Sequence, residues 1–204
     1  MTRRLLPCLL TALVATGACS LLAPRPDPSR FYVLTGTETT ALGAMPRDAA
    51  LLLGPITVST YLQRPQIATR VPPNRIEYSQ LSRWAEPLEA NVARALAGNL
   101  AVLLATEEVY TYPAFPAGPV VLQVALRIER LERGPAGEAE IVAQWTIRDT
   151  KRGIDLDAKR RTLTEAAVSA DMDASVEALS RTFGRLSREV AASLAAVDPT
   201  TDSR

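Results

Sequence analysis

Cys8 and Cys19 are the only thiols in the 204-residue chain, and histidine is absent. Without imidazole the chain lacks the commonest general base, the usual base of a serine triad and the commonest metal ligand. The structural zinc ligand sets cannot be assembled either. No glycine-rich phosphate loop follows a strand-like segment. What remains for acid–base work is three carboxylate pairs: Glu107 with Glu108, Glu138 with Glu140, and Asp155 with Asp157. The first is expected at a helix exit, the second beside a turn, and the third on one face of an edge strand. Solvated surface accounts for each of them without chemistry. The chain therefore reads as a non-enzyme with no cofactor and no metal.

The spacing around Cys19 supports a different chemistry, lipidation. Arg3 and Arg4 form a short positive start, and Leu5 to Ala15 is apolar apart from Pro7 and Thr11. Small residues Thr16-Gly17-Ala18 then lead directly into Cys19 and Ser20. These are the parts of a secretory signal. The apolar stretch is shorter than the roughly 20 residues a spanning helix needs. The exit is similar to the lipobox of bacterial lipoproteins, in which the cysteine is acylated and becomes the new N-terminus. Thr16 departs from it, since leucine is usual there. Cys8, behind Pro7 in the apolar core, is no competing candidate. Residues 1–18 are expected to leave as the signal, Cys8 with them.

Cleavage would leave 186 residues, enough for one domain of ordinary size. With Cys19 acylated no disulfide can form, so the core alone must stabilise the domain. Losing Arg3 and Arg4 turns 23 basic side chains into 21, against 22 acidic ones. That balance gives neither a nucleic-acid footprint nor a polybasic membrane device. Residues 19–29 include Ala23-Pro24-Arg25-Pro26-Asp27-Pro28 and read as a semi-rigid tether. Residues 198–204 are small and polar and read as a disordered tail. The domain proper is expected over 30–197.

Within it, periodicity predicts strands and two helices. Phe31–Leu34 reads as a strand and residues 35–50 as a loop. Ile56, Val58, Thr60 and Leu62 alternate with polar neighbours, and Ile67, Thr69 and Val71 continue the style. Pro72-Pro73-Asn74 is a turn, and Ile76 and Tyr78 mark a short strand. Apolar residues from Leu88 to Leu103 fall at helical spacing, predicting a helix from about Ser82 to Ala105 with Pro87 in its first turn. Alternating strands return at Val120–Ile128 and Ile141–Ile147, around the turn Gly134-Pro135-Ala136-Gly137. Residues 154–164 read as a polar edge strand. Val176, Leu179, Phe183, Leu186, Val190, Leu194 and Val197 form the apolar stripe of a last helix. The order predicts an α+β fold: a two-layer sandwich, its sheet mostly antiparallel, with two long helices packed on one face.

Two segments are more particular than such a fold requires. One is Leu62-Gln63-Arg64-Pro65-Gln66-Ile67, with Arg70 following. The other is Asn74-Arg75-Ile76-Glu77-Tyr78, leading into Arg83-Trp84-Ala85-Glu86-Pro87-Leu88. With Phe31-Tyr32-Val33-Leu34, they resemble the ABC-type transport auxiliary lipoproteins, the PqiC-like subunits of MCE-type intermembrane transport systems. The resemblance implies a lipid-anchored accessory subunit at the periplasmic face of the outer membrane. Its implied partners are a periplasm-spanning MCE-domain protein and ABC transporter or permease subunits, and it allows a homo-oligomer. Ser20 after the cysteine fits outer-membrane sorting. The alternative is a stand-alone lipoprotein that itself binds a lipid or other hydrophobic ligand.

Four residues in these segments are candidates for partner binding: Arg64, Gln66, Arg70 and Trp84. Pro65 cannot donate to a ladder and should mark a break between strands, aiming Arg64 and Gln66 away from regular pairing. Arg and Trp are enriched at interface hot spots. The same residues, with Arg83 and Glu86, could instead brace the strand–helix junction, with the Trp84 ring buried under the sheet edge.

Overall fold

The structure is a computed structural model that describes residues 27–45, 50–72, 74–114 and 120–197. The signal, Cys19 and most of the tether lie outside the described residues, as does the tail. Eight strands occur among the described residues: β1 Arg30–Tyr32, β2 Ala50–Val58, β3 Gln66–Val71, β4 Arg75–Trp84, β5 Val109–Thr111, β6 Val120–Arg133, β7 Ala139–Asp149 and β8 Ile154–Glu165. Two long helices accompany them, α1 Leu88–Leu103 and α2 Met172–Ala196.

All eight strands form one open sheet. The 14-residue β6 lies at its centre because both its edges are used. On one side it runs antiparallel to β7, which pairs antiparallel with the edge strand β8. On the other side it meets two strands in succession: β2 runs parallel to its first part, and β3 touches it at Thr69↔Arg133. Beyond β3 lie β4 and the edge strand β1, and beyond β2 lies β5. The α+β sandwich is the expected one. Its sheet is mixed, however: β1·β4, β2·β5, β2·β6 and β3·β6 are parallel. Parallel neighbours need long crossovers. Here the segment from β3 through β5 is the crossover that returns the chain from β2 to β6 in the same direction.

Both helices cover one face. α2 packs on β6, β7 and β8, while α1 packs on β2, β5 and α2. The α2 stripe read from sequence is the buried one: Leu179, Phe183, Leu186 and Val190 have no exposed surface. Full burial of such side chains contributes about 1.5–3 kcal/mol each. Asp171 caps the helix by accepting the Ala174 amide at 2.8 Å. The opposite face is salted by Arg181 with Glu165 and Glu177, and by Arg188 with Glu38.

Three local differences from the sequence reading have physical causes. β2 begins at Ala50, upstream of the alternation, because Ala50–Leu53 is buried on both faces and so shows no period of two. It ends at Val58, and Thr60–Leu62 is a 3-10 turn that buries Leu62. Residues 82–84 belong to β4 rather than α1, because Trp84 pairs with Tyr32 and gives its amide to the Pro65 carbonyl at 2.7 Å. Pro87 then disfavours helical geometry at Glu86 and itself becomes the α1 N-cap.

Residues 33–45, which follow β1, form no regular element, yet amides in their first part are held. Asn91 Oδ1 accepts the Leu34 amide (2.9 Å) and Asn99 Oδ1 those of Thr37 and Glu38 (3.1 and 3.4 Å). Ser180 Oγ accepts that of Thr35 (3.2 Å). Residues 34–38 thus lie as a strap across α1 and α2. Gly184 permits the contact: a Cβ there would stand 2.0 Å from Thr37 Oγ1.

Candidate interaction surface

Arg64, Gln66, Arg70 and Trp84 meet where β2 hands over to β3. Ser59 still holds the β6 edge, donating its amide to the Ile128 carbonyl (3.0 Å) and its hydroxyl to that of Glu129 (2.9 Å). The 3-10 turn lifts the chain off, and Pro65, without an N–H, occupies the gap. The chain re-enters the sheet at Gln66. Pro65 therefore marks a break, as its chemistry requires, and leaves Arg64 exposed.

The register separates the four residues by face. Trp84 pairs with Tyr32, and both look toward the helices: Tyr32 donates its hydroxyl to Asp173 of α2 at 2.7 Å. Trp84 is 5% exposed and part of the core. One residue earlier, Arg83 pairs with both Phe31 and Gln66, so Phe31, Arg83 and Gln66 form a row on the opposite face. Gln66 is half-buried, and the buried Arg83 Nε has no hydrogen-bond partner among the described residues.

Arg70 and Arg64 belong to a linked cluster on that helix-free face. At its centre is Glu132, whose side chain has no exposed surface. Arg70 clamps it with Nε on Oε1 and Nη2 on Oε2 (3.3 Å). The Tyr61 hydroxyl donates to the same Oε2 at 2.9 Å. Burial, and then the Glu132 charge, push the Tyr61 phenol well above its ordinary value of 10. The Glu132 carboxylate raises the Arg70 guanidinium in turn. Tyr78 donates its hydroxyl to the Tyr61 carbonyl (3.0 Å), and the Arg64 guanidinium lies 4.9 Å from the Tyr78 ring centroid. Such an exposed cation–π contact is worth about 0.5–1 kcal/mol. The structure thus gathers Arg64 and Arg70 through Tyr78, Tyr61 and Glu132, sets Gln66 beside them and puts Trp84 on the other side of the sheet. Sequence reasoning missed Tyr61 and Glu132; the hydroxyl of a tyrosine in a predicted strand was the available signal.

The carboxylate pairs are engaged as surface groups. Glu108 accepts from Tyr110 (2.8 Å), Glu138 accepts the Ala136 amide (3.0 Å), and Glu140 pairs with Arg130 (2.7 Å). Asp155 pairs with Arg148 (3.2 Å) and Asp157 with Lys159 (3.0 Å). Among the described residues no group of three or more acidic or thiol side chains could hold a metal ion. No helix there is long and apolar enough to cross a membrane. A separate groove of about 640 Å³ opens between β2, β5 and α1, walled by Leu53, Ile56, Ala93, Ala97 and Tyr112, with Arg94 among its walls. Gly54 allows this wall: its φ is +126°, and a Cβ would stand 2.7 Å from that of Tyr112.

An α+β sandwich whose helix-free face carries the braced Arg70–Glu132–Tyr61 cluster, with Arg64 exposed beside it, is the class that the fold and this surface define. Comparison with known proteins gives the class a family. The chain belongs to the family described as ABC-type transport auxiliary lipoprotein component, whose model matches residues 32–191. It is accordingly a lipoprotein and an accessory part of an ABC-type transport system, with no catalytic step of its own. No curated protein matches it. Among solved structures it is similar to one described only as an uncharacterized protein, with 16% identity and a TM-score of 0.68 over 81% of this chain and 98% of that one. It is also similar to protein XCC0632 from Xanthomonas campestris, with 15% identity and a TM-score of 0.64 over 79% of this chain and 92% of the other. At these identities the likeness establishes the fold.

Proposed function

We propose that this protein is held by lipid on Cys19 at the periplasmic face of the outer membrane. There it serves an MCE-type intermembrane lipid transport system as a non-catalytic subunit. Residues 1–18 are its signal, 19–29 its tether, 30–197 its working domain and 198–204 a tail. Its partners are a periplasm-spanning MCE-domain protein and, through it, ABC transporter or permease subunits; self-association is compatible with the role. The family match over residues 32–191 is the observation that carries this reading. Arg64 and Gln66 are the candidate residues open to a partner, while Arg70 and Trp84 act by bracing the shelf that presents them. The test is affinity capture of the lipidated protein from detergent-solubilised membranes of its own host. An MCE-domain protein should co-purify, and Arg64→Glu should reduce its recovery several-fold. Correctly localised protein that recovers no such partner would refute the reading.

The groove between β2, β5 and α1 favours a second reading, a subunit that itself carries a hydrophobic ligand. Native mass spectrometry distinguishes the two. Co-purifying phospholipid that is lost in Ala93→Trp supports a carrier, and a ligand-free spectrum supports the adaptor.

A further inference from the structure

Of the eight large apolar side chains exposed among the described residues, three gather at the β1 corner: Phe31 (63%), Val33 (42%) and Leu81 (47%). Phe31 and Val33 lie on and just beyond the edge strand β1, and Leu81 lies on its neighbour β4. Leu81 lines a shallow recess of about 450 Å³ together with Pro28 and Arg30, so the patch reaches the point where the described chain begins. Among the described residues no strand lies beside the outer edge of β1. A bare edge flanked by exposed aromatic and aliphatic groups is a liability in water unless something covers it.

We infer that this corner rests on the phospholipid surface to which the protein is anchored. The inference depends on the lipoprotein reading, because the anchor decides what lies within reach. Cys19 and Asp27 are eight residues apart, so the tether spans at most about 29 Å when fully extended. A tether this short keeps the β1 corner at a high effective concentration at the bilayer, and a weak interfacial affinity then suffices for lasting contact. The chemistry fits. Phe31 is an aromatic ring suited to the interfacial zone, beside apolar Val33 and Leu81. Arg30, 70% exposed and only loosely paired to Asp173 at 3.9 Å, can meet lipid phosphate. Asp27 and Asp173 lie among these groups, so apolar contact rather than net positive charge dominates. The row Phe31–Arg83–Gln66 then carries the surface inward, from lipid at the edge to the Arg64–Gln66 shelf left for protein.

The domain has no cysteine of its own, which makes site-specific labelling direct. Lipidated full-length protein, labelled with a polarity-sensitive fluorophore at Val33→Cys or at Glu107→Cys next to β5, is reconstituted into phosphatidylethanolamine–phosphatidylglycerol vesicles carrying bromolipid. The Val33 label should be blue-shifted and quenched at least about threefold more than the Glu107 label, and Phe31→Ser should remove most of that difference. Equal quenching at both sites overturns the inference while leaving the anchor intact. A blue shift without lipid quenching that grows with protein density overturns it in favour of a second copy on the edge. Mass spectrometry of the N-terminus is read separately: an unacylated Cys19 overturns the lipoprotein reading and this inference with it.

Discussion

Glu132 has no contact with water, yet it is held by a guanidinium on one side and a phenol on the other. Ion pairs of this kind stabilise less than their Coulomb energy suggests, because both groups must leave water. Removing one partner is a different matter, since the charge left behind keeps its desolvation cost. Arg70→Ala should therefore lower stability by about 3 kcal/mol, while Arg70→Met combined with Glu132→Leu should cost clearly less. Urea denaturation of the three proteins measures both values, and equal losses would show that the pair acts through packing alone. Tyr61 adds a pH dependence. Its phenol is raised in the folded protein, so the neutral form is favoured there and the unfolded chain ionises first, near 10. Its contribution is complete below that pH and is lost as pH rises through the folded value. Relative to the wild type, Tyr61→Phe should lose stability less steeply above pH 10, as read from thermal midpoints between pH 9 and 11.

At the scale of elements, the strap over 34–38 replaces ladder bonds with helix side chains. Asn99 is the busiest of these. It accepts two strap amides and gives its own Nδ2 to Ser187 of α2 at 3.0 Å. Asn99→Ala should cost about 1–3 kcal/mol, the usual penalty for stranding buried polar groups. Hydrogen exchange should speed up at Thr37 and Glu38 while the β6 and β7 amides remain protected. Nothing in the sequence pointed to this role, because an asparagine at helical spacing reads as a flaw in an apolar stripe. The residues that were legible are those with a clean period: α2, β7 and the first half of β6. Glu132 was hidden for a physical reason. An irregularity in the β6–β7 register between Ile128 and Arg130 shifts the alternation, so Glu129-Arg130-Leu131-Glu132-Arg133 cannot be divided into faces by counting. β5 was missed because three residues are too few to show a period. The candidate site was legible as a place, through Pro65 and the arginines around it. The division of labour within it depends on which face Trp84 takes, and that is set by its pairing with β1, a partner more than fifty residues away in sequence.

At the scale of the whole molecule, the proposed role of a lipid-anchored accessory subunit makes position the quantity on which function depends. A buried acyl methylene contributes about 0.8 kcal/mol, and one chain alone holds only marginally, so a durable anchor needs the multiple chains of a bacterial lipoprotein. Among the described residues the core is built from side chains between Leu34 and Leu194. Cys19→Ala should accordingly leave the thermal midpoint unchanged while moving the protein from the membrane to the soluble periplasmic fraction. Partner capture from detergent extract should persist, because the Arg64–Gln66 shelf is intact. Complementation of a deletion strain, scored by resistance to detergent and bile salts, should fail. That combination of normal fold, retained binding and lost function is expected only if tethering itself is what the subunit contributes. Full complementation by the soluble protein would instead place its function in the domain, and the groove between β2, β5 and α1 would become the first place to look for it.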